Sequence, residues 1–139
     1  MKKRVMKSMI RRVGTSQLLP RLTLWSDANF SGRRLSFRGN LGVRNLVDFN
    51  FNDVLSSFSI AGGANITLVL FSDINYQGNR RIFRGPREIS FLNGFNDVTS
   101  SFIMSRRRLT VNEINQIQNR NSAPNNFAEV LRKRNALKK

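Results

Sequence analysis

The sequence predicts an all-β domain built from two copies of one unit, and three observations support this prediction. Residues 24–39 match residues 70–85 at nine of sixteen positions, with a constant offset of 46. The octapeptide FNDVLSSF, residues 51–58, returns as FNDVTSSF at residues 95–102. Apolar residues in both copies alternate with polar ones, as they do in half-buried strands. Two such copies can face each other and bury one apolar core between two sheets.

Each copy is expected to contain about four strands. The segments that alternate or are rich in apolar residues are assigned to strands at 22–26, 33–37, 56–60, 66–72, 80–84 and 100–104. Gly32 and Gly78 each follow an aromatic residue by two positions, which suits a folded turn that needs positive φ. The phenylalanines that flank the two repeated polar hexads are predicted to lie in the core: Phe51, Phe58, Phe95 and Phe102.

Composition excludes several classes of function. The 139 residues contain no cysteine and no histidine. A disulfide framework, thiol catalysis, a serine–histidine couple and a histidine-ligated metal are therefore impossible. We expect the protein to be no enzyme and to have no small-molecule substrate. No apolar run is long enough for a membrane span, and the basic start MKKRVMKSMIRRVG lacks the apolar stretch of a secretory signal, so we expect neither.

The net charge of +16 is concentrated at the two ends of the chain. Residues 1–21 hold seven basic residues and no acid, and residues 106–139 hold nine basic residues and two acids, so each end carries +7. The stretch between them, 22–105, is nearly neutral, with eight arginines against six acids. We interpret these shifts as domain boundaries. The organisation predicted is a basic N-terminal arm at 1–21, a domain at 22–104 with copies at about 22–61 and about 66–104, and a basic, Asn-rich C-terminal tail at 105–139.

Two motifs in each copy resemble those of a known family. The stretches from Trp25 to Gly32 and from Phe71 to Gly78 are similar to the aromatic-x4-aromatic-x-Gly signature of the βγ-crystallin Greek key. The hexads NDVLSS (52–57) and NDVTSS (96–101) resemble the (Asn/Asp)-(Asn/Asp)-x-x-(Ser/Thr)-Ser signature of its calcium-binding members. The resemblance covers roughly residues 22–104. It implies two Greek-key motifs forming a βγ-crystallin-type β-sandwich, which basic, partly helical or disordered arms would flank.

The resemblance also implies about two calcium ions per domain, each held by residues of both copies. The second hexad position supplies a side-chain oxygen, the third a carbonyl, and the fifth a hydroxyl to the site of the other copy. Carried onto this chain, the two sites are Asp53, Val54 and Ser100 with the carbonyl of Ser26 or Ser72, and Asp97, Val98 and Ser56 with the remaining carbonyl. With one certain carboxylate per site, we expect a weak dissociation constant, about 10⁻⁵–10⁻³ M. The alternative is that these polar side chains only cap their own turns.

The two ends of the chain have their own patterns. Residues 1–13 space apolar residues as a short basic amphipathic helix does, and they also resemble an organelle presequence; the alternative is a solvated basic tail. Residues 106–126 resemble a linker, with one or two helical turns near Val111–Ile117. Residues 125–139 place Phe127, Val130 and Leu131 among basic residues at helical spacing, which predicts a second basic helix.

These features favour a calcium-binding, non-enzymatic protein with a structural or stress-related role. A first alternative is a protein that binds a polyanion, either nucleic acid or an anionic membrane, through its basic arms, with the domain as a scaffold. A second alternative is a secreted inhibitor or toxin on the same fold, which the lack of a signal sequence disfavours.

Overall fold

The computed structural model describes residues 19–130. Within this range, nine strands form two sheets that pack face to face. The strands are β1 (Arg21–Asp27), β2 (Ser31–Arg38), β3 (Leu41–Val43), β4 (Ser57–Ala61), β5 (Ile66–Asp73), β6 (Gln77–Gly85), β7 (Arg87–Ile89), β8 (Ser101–Ser105) and β9 (Ala128–Glu129). All six strands expected from the sequence are present.

The two copies of the repeat exchange their third strands. The four-stranded sheet has the order β2-β1-β4-β7, and the five-stranded sheet has the order β6-β5-β8-β3-β9. Strand β3 of the first copy therefore pairs antiparallel with β8 of the second, and β7 of the second copy pairs antiparallel with β4 of the first. This exchange gives each copy Greek-key topology and makes the domain a two-sheet β-sandwich, as the sequence predicts.

One apolar cluster fills the space between the sheets. It contains the four phenylalanines that flank the hexads, all of which are buried: Phe51, Phe58, Phe95 and Phe102. Edge-to-face aromatic pairs such as Phe37 with Phe102, whose ring centroids are 5.3 Å apart, add directional contacts to this core. The prediction that these phenylalanines are core residues is confirmed.

Each copy opens with the same folded hairpin. Asn29 and Phe30 in the first copy have positive φ, and Asn75 and Tyr76 do so in the second. A glycine follows in each hairpin at φ +85°, where a Cβ would collide with the side chains of the preceding strand end. These backbone angles agree with the positive φ expected at the two glycines.

The segment after β8 packs on the outer face of the five-stranded sheet. The helix expected near Val111–Ile117 is present and extends over Val111–Arg120 (α1). Thr110 and Glu113 form a capping box at its start, and Asn121 ends it in the left-handed region. Its buried residues Ile114 and Ile117 join a second apolar cluster with residues of β5 and β8. Residues 109–123 thus form a layer on the sheet, whereas the sequence resembled a linker.

The helix predicted over 125–139 is wrong for the part that the structure describes. Ala128–Glu129 is a strand that pairs parallel with β3, and the Val130 amide donates to Gly42 O at 2.9 Å. The reason is that β3 leaves one edge of its sheet open, and an extended chain satisfies those backbone groups.

Polar contacts hold β9 in place. The Glu129 carboxylate accepts from Arg44 Nε at 2.8 Å, from Tyr76 Oη at 3.0 Å and from the Ala123 amide at 3.0 Å. Burial raises the pKa of Glu129, but these hydrogen bonds outweigh it and the pKa is lowered. Burial and the neighbouring carboxylate raise the pKa of Tyr76. The segment therefore relies on an ionised Glu129.

Residues 1–18 and 131–139 lie outside the described residues, and so do the predicted helix at 1–13 and Leu131. The domain boundaries at residues 21 and 104 stay predictions.

Candidate metal site

The two hexads form loops that lie side by side. Each loop precedes the last strand of its own copy, β4 or β8. Asp53 and Asp97 have positive φ, 57° and 59°, a conformation that Asp and Asn tolerate better than most residues. The Asp53 amide donates to Thr99 O, and the Asp97 amide donates to Leu55 O, both at 3.0 Å. Each loop is therefore fastened to the backbone of the other.

The fifth-position serines reach across to the aspartates of the opposite copy. Ser100 Oγ donates to Asp53 Oδ1 at 3.1 Å, and Ser56 Oγ donates to Asp97 Oδ1 at 3.2 Å. Both serines are buried, whereas both aspartates are exposed. The structure thus brings together the serine–aspartate pairs that the resemblance implied.

Backbone carbonyls complete one of these clusters. Ser56 Oγ lies 2.9 Å from Ser26 O and 3.4 Å from Val54 O, next to its contact with Asp97. The carbonyl of Ser26 therefore belongs with Ser56 and Asp97. The contact of Ser56 with Val54 O joins residues two apart in one loop, so the expected grouping of Val54 with Asp53 stays a prediction.

The second cluster follows by the pseudo-symmetry of the copies. The Ser56 amide donates to Trp25 O at 3.0 Å, and the equivalent Ser100 amide donates to Phe71 O at 2.8 Å. The residue after each aromatic is a serine, so Ser72 stands to Ser100 as Ser26 stands to Ser56. The expected grouping of Val98 with Asp97 stays a prediction. In each cluster the serine hydroxyl and the carbonyl of the hairpin serine come from one copy, and the carboxylate comes from the other.

The donor set fits a hard cation. Each cluster offers a carboxylate, a hydroxyl and backbone carbonyls, which are the oxygen ligands that Ca²⁺ takes. The amide oxygens Asn52 Oδ1 and Asn96 Oδ1, adjacent to the two aspartates, are buried and have no hydrogen-bond partner among residues 19–130. In that range no group of three or more Asp or Glu side chains converges on one point. The clusters are therefore rich in oxygen but low in charge.

The sixth-position serines have a different task, which the sequence did not reveal. Ser57 Oγ donates to Asp27 O at 2.7 Å and accepts from the Phe30 amide at 3.0 Å. Ser101 repeats both bonds in its own copy, with the carbonyl of Asp73 and the amide of Tyr76. The two fully buried serines tie each folded hairpin to the last strand of the same copy. The available sequence signal was that both copies place a hairpin aromatic before the last hexad serine, 27 residues apart in the first copy and 25 in the second.

Arginines from the long hairpins cover the start of each hexad loop. The Arg33 guanidinium lies over the Phe51 ring, and the Arg81 guanidinium lies over the Phe95 ring, each 5.1 Å from the centroid. Arg33 also donates to the carbonyl of Asn50. Sequence alone could not locate these contacts, because the two arginines do not occupy equivalent repeat positions.

Solved structures share this architecture. A βγ-crystallin domain from Flavobacterium johnsoniae matches at 26% identity and a TM-score of 0.54, covering 64% of this chain and 98% of that one. A structure from work on the evolution of the eye-lens βγ-crystallin domain fold matches at 27% identity and a TM-score of 0.54, covering 61% of this chain and 84% of that one. The chain contains a domain with the βγ-crystallin fold. A βγ-crystallin from Ciona intestinalis, at 24% identity and a TM-score of 0.53, shares the fold over 64% of this chain and 99% of its own.

A family model adds a second relationship. Residues 21–83 of the βγ-crystallin domain match the model of peptidase inhibitor family I36. The match includes the whole first copy and less than half of the second, and it ends before the second hexad. No curated protein has a sequence that matches this chain. Among residues 19–130, no helix has the length and apolar character needed to cross a membrane.

Proposed function

We propose that the βγ-crystallin domain binds two calcium ions, one at each crossed serine–aspartate cluster, and that it acts without catalysis as a calcium-stabilised structural protein. The supporting observation is the reciprocal contact of Ser100 with Asp53 and of Ser56 with Asp97. One cluster would use Ser26, Ser56, Asp97 and Val98, and the other would use Ser72, Ser100, Asp53 and Val54.

A cation at these clusters would link the two copies. Each cluster joins a carboxylate of one copy to a hydroxyl of the other, so a bound Ca²⁺ would supply a positive charge where the two loops meet. Because one carboxylate serves each cluster, the expected dissociation constant is about 10⁻⁵–10⁻³ M. Calcium at one hundred times that concentration would raise the free energy of unfolding by about 2.7 kcal/mol through mass action.

Calorimetric titration of the full chain with CaCl₂ tests the proposal. The informative variant is Asp53→Ala/Asp97→Ala, which removes both carboxylates. The matched control is Asp48→Ala, because Asp48 is an exposed aspartate of the same charge that lies in the 3₁₀ helix Leu46–Phe49, outside both clusters. We expect binding heat from the wild type and the control, and none from the double variant. Equal heats from all three proteins would overturn the proposal.

The match to peptidase inhibitor family I36 supports a second candidate function, inhibition of a peptidase. The test is residual activity of one representative serine, cysteine, aspartic and metallopeptidase after incubation with the full chain. Stoichiometric loss of activity of one peptidase, without cleavage of the chain, would support this function. Full activity of all four at about tenfold molar excess of the chain would count against it.

The polyanion hypothesis rests on the charge of the arms, +7 in residues 1–21 and +7 in residues 106–139. Contacts of such arms with phosphates would be insensitive to sequence and would weaken steeply with salt. A salt series on duplex DNA and on anionic vesicles tests this hypothesis. If affinity for both stays constant between low and physiological salt, the arms do not act as polyanion binders.

A further inference from the structure

The outer faces of the two sheets carry the same pattern of side chains. An aromatic residue and two arginines recur at an offset of 46, on β1 and β2 in one sheet and on β5 and β6 in the other. The corresponding residues are Trp25 and Phe71, Arg34 and Arg80, and Arg38 and Arg84. The strand registers place them identically, since Trp25 pairs with Arg34 as Phe71 pairs with Arg80. The two faces differ in what covers them.

On the five-stranded sheet, the C-terminal segment satisfies both arginines. Arg84 Nη1 donates to Leu109 O at 2.7 Å. Arg80 Nη1 donates to Asn115 Oδ1 at 2.8 Å and to Gln118 Oε1 at 2.9 Å, both on α1. On this face, therefore, oxygen atoms of one helical segment accept hydrogen bonds from both guanidinium groups.

The same segment buries the aromatic residue. Phe71 is fully buried in the cluster that it forms with Ile114 and Ile117 of α1. The segment thus presents apolar side chains to the aromatic ring, two polar side chains to Arg80 and a backbone carbonyl to Arg84. The face and its covering segment are complementary in both respects.

On the four-stranded sheet, the pattern is open. Trp25 is half-buried, and Arg21, Arg34 and Arg38 are exposed. These residues line a groove of about 470 Å³, together with Thr23 and Ser36. Within residues 19–130, none of the three arginines forms an ion pair or donates a side-chain hydrogen bond. The acceptors that the other face receives from α1 have no counterpart here.

The open face is more basic and more polar than the covered one. Arg21 stands where the covered face has Thr67, so three arginines replace two. The central pair of the open groove is Thr23 and Ser36, where the covered face has the apolar Val69 and Ile82. An occupant of this groove therefore needs more acceptors and more negative charge than α1 carries.

This chain offers no segment with that charge outside the described residues. Residues 1–18 contain six basic residues and no acid, and residues 131–139 contain five basic residues and no acid. A second copy, at +16, is repelled overall. The acid on the same face is Glu88, which pairs with Ser59 two strands away from the groove.

From these observations we propose that the outer face of the four-stranded sheet is a docking site for an acidic amphipathic segment of a partner protein. An apolar side chain of the segment contacts Trp25, and its carboxylates accept hydrogen bonds from Arg34 and Arg38, as oxygen atoms of the C-terminal segment do from Arg80 and Arg84 on the opposite sheet. Charge-assisted hydrogen bonds from the arginines to the carboxylates orient the segment in the groove, and Trp25 provides apolar contact area.

Fluorescence titration of the full chain tests the proposal directly, since Trp25 is its single tryptophan. The probe is a synthetic peptide of residues 109–122 carrying Asn115→Glu and Gln118→Glu, the two positions that contact Arg80 on the covered face. The control peptide carries lysine at both positions. The emission of Trp25 reports on the open groove alone, so binding of either peptide elsewhere does not confuse the signal.

The groove variant is Arg34→Glu/Arg38→Glu, and the matched control is Arg106→Glu/Arg108→Glu, which changes the net charge equally at two exposed arginines outside the groove. A milder pair, Arg34→Gln/Arg38→Gln, is used if the first variant melts at a lower temperature than wild type. We expect at least about tenfold weaker binding in the groove variant and less than about twofold weaker binding in the control.

Three results would overturn the proposal. The first is no change in Trp25 emission at peptide concentrations up to about 1 mM. The second is an equal loss of affinity in the groove and control variants, or equal binding of the acidic and basic peptides, because both indicate nonspecific attraction. The third is tighter binding of oligothymidylate than of the acidic peptide, lost only in the groove variant, which would make the face a nucleic-acid site.

Discussion

Ser100 Oγ of the second copy lies 3.1 Å from Asp53 Oδ1 of the first, and Ser56 returns the contact to Asp97 at 3.2 Å. The two hexads are thus halves of two mixed clusters. A change in one hexad therefore affects both clusters, one through its serine and the other through its aspartate.

Replacing the crossing serines should weaken calcium binding while leaving the fold intact. In Ser56→Ala/Ser100→Ala each cluster loses its hydroxyl but keeps its carboxylate, so we expect about tenfold weaker binding by calorimetry. The matched control is Ser59→Ala, a serine of β4 outside both clusters. Unchanged affinity in the double variant would show that the hydroxyls are not ligands.

Replacing the sixth-position serine should destabilise the fold and leave calcium binding unchanged. Ser57→Ala removes a buried hydroxyl that bonds Asp27 O and the Phe30 amide, and it leaves that amide without its acceptor. We expect the calcium-free protein to lose about 1–3 kcal/mol of unfolding free energy in urea. Calcium affinity should remain near wild type. A variant as stable as wild type would contradict the role that we assign to this serine.

Removing the hydroxyl of Thr99 should stabilise the domain. Thr99 is fully buried, and its Oγ1 has no hydrogen-bond partner among residues 19–130. The equivalent residue of the first copy is the buried, apolar Leu55. Thr99→Val keeps the shape and the backbone carbonyl that Asp53 uses, so we expect about 1 kcal/mol of added stability and a higher melting temperature. A lower melting temperature would indicate that the hydroxyl is used.

The C-terminal segment should loosen in acid. The pKa of Glu129 is lowered in the folded state, so its stabilising effect is complete above the ordinary value of 4.5 and is lost as pH falls through the lowered folded value. Hydrogen bonding to Arg107 lowers the pKa of Glu113 to about 2. The stabilising effect of this carboxylate is therefore also lost as the pH falls from 4.5 towards 2.

Hydrogen exchange of the α1 amides between pH 5 and about pH 2, corrected for intrinsic rates, measures this loosening. Glu129→Gln should already be less protected at pH 5 and should vary less with pH. Glu88→Gln, on the opposite sheet, serves as the control. Protection that stays constant down to about pH 2 would refute the prediction.

Truncation after Ser105 should destabilise the domain, because α1 and its flanks cover an apolar face. Without them Val69, Phe71 and Ile103 become exposed, and each such side chain contributes about 1.5–3 kcal/mol when buried. Chemical unfolding and binding of a hydrophobic dye measure the effect. If residues 1–105 unfold like the full chain, the domain does end near residue 104, as the charge pattern suggests.

The repeat made much of the fold predictable from sequence. Duplicated motifs mark the hairpin glycines, the core phenylalanines and the crossing residues, and alternation marks the longer strands. Strands β3 and β7 could not be predicted, because three residues are too few to show the alternation of a strand. Each of them pairs with a strand of the other copy, which the local sequence does not indicate. Strand β9 forms because it can pair with the open edge at β3, and no local sequence pattern indicates that edge.

Helix α1 was only partly predicted from the sequence. Its Asn-rich composition suggests a linker, yet the sequence from Thr110 to Glu113 has the spacing of a capping box. Which hairpin serine belongs to which cluster was also out of reach, because the contact of Ser26 O with Ser56 Oγ depends on the tertiary structure. Motif letters identify the oxygens, and tertiary structure decides which of them meet.

The exchange of third strands bears on how such a chain originated. A single forty-residue copy has no partner for its third strand and cannot close either sheet by itself. Two identical peptides could complete each other by trading that strand, so the topology by itself is compatible with a symmetric dimer. In this chain the pairing is intramolecular, and the helix on one face ends the equivalence of the halves.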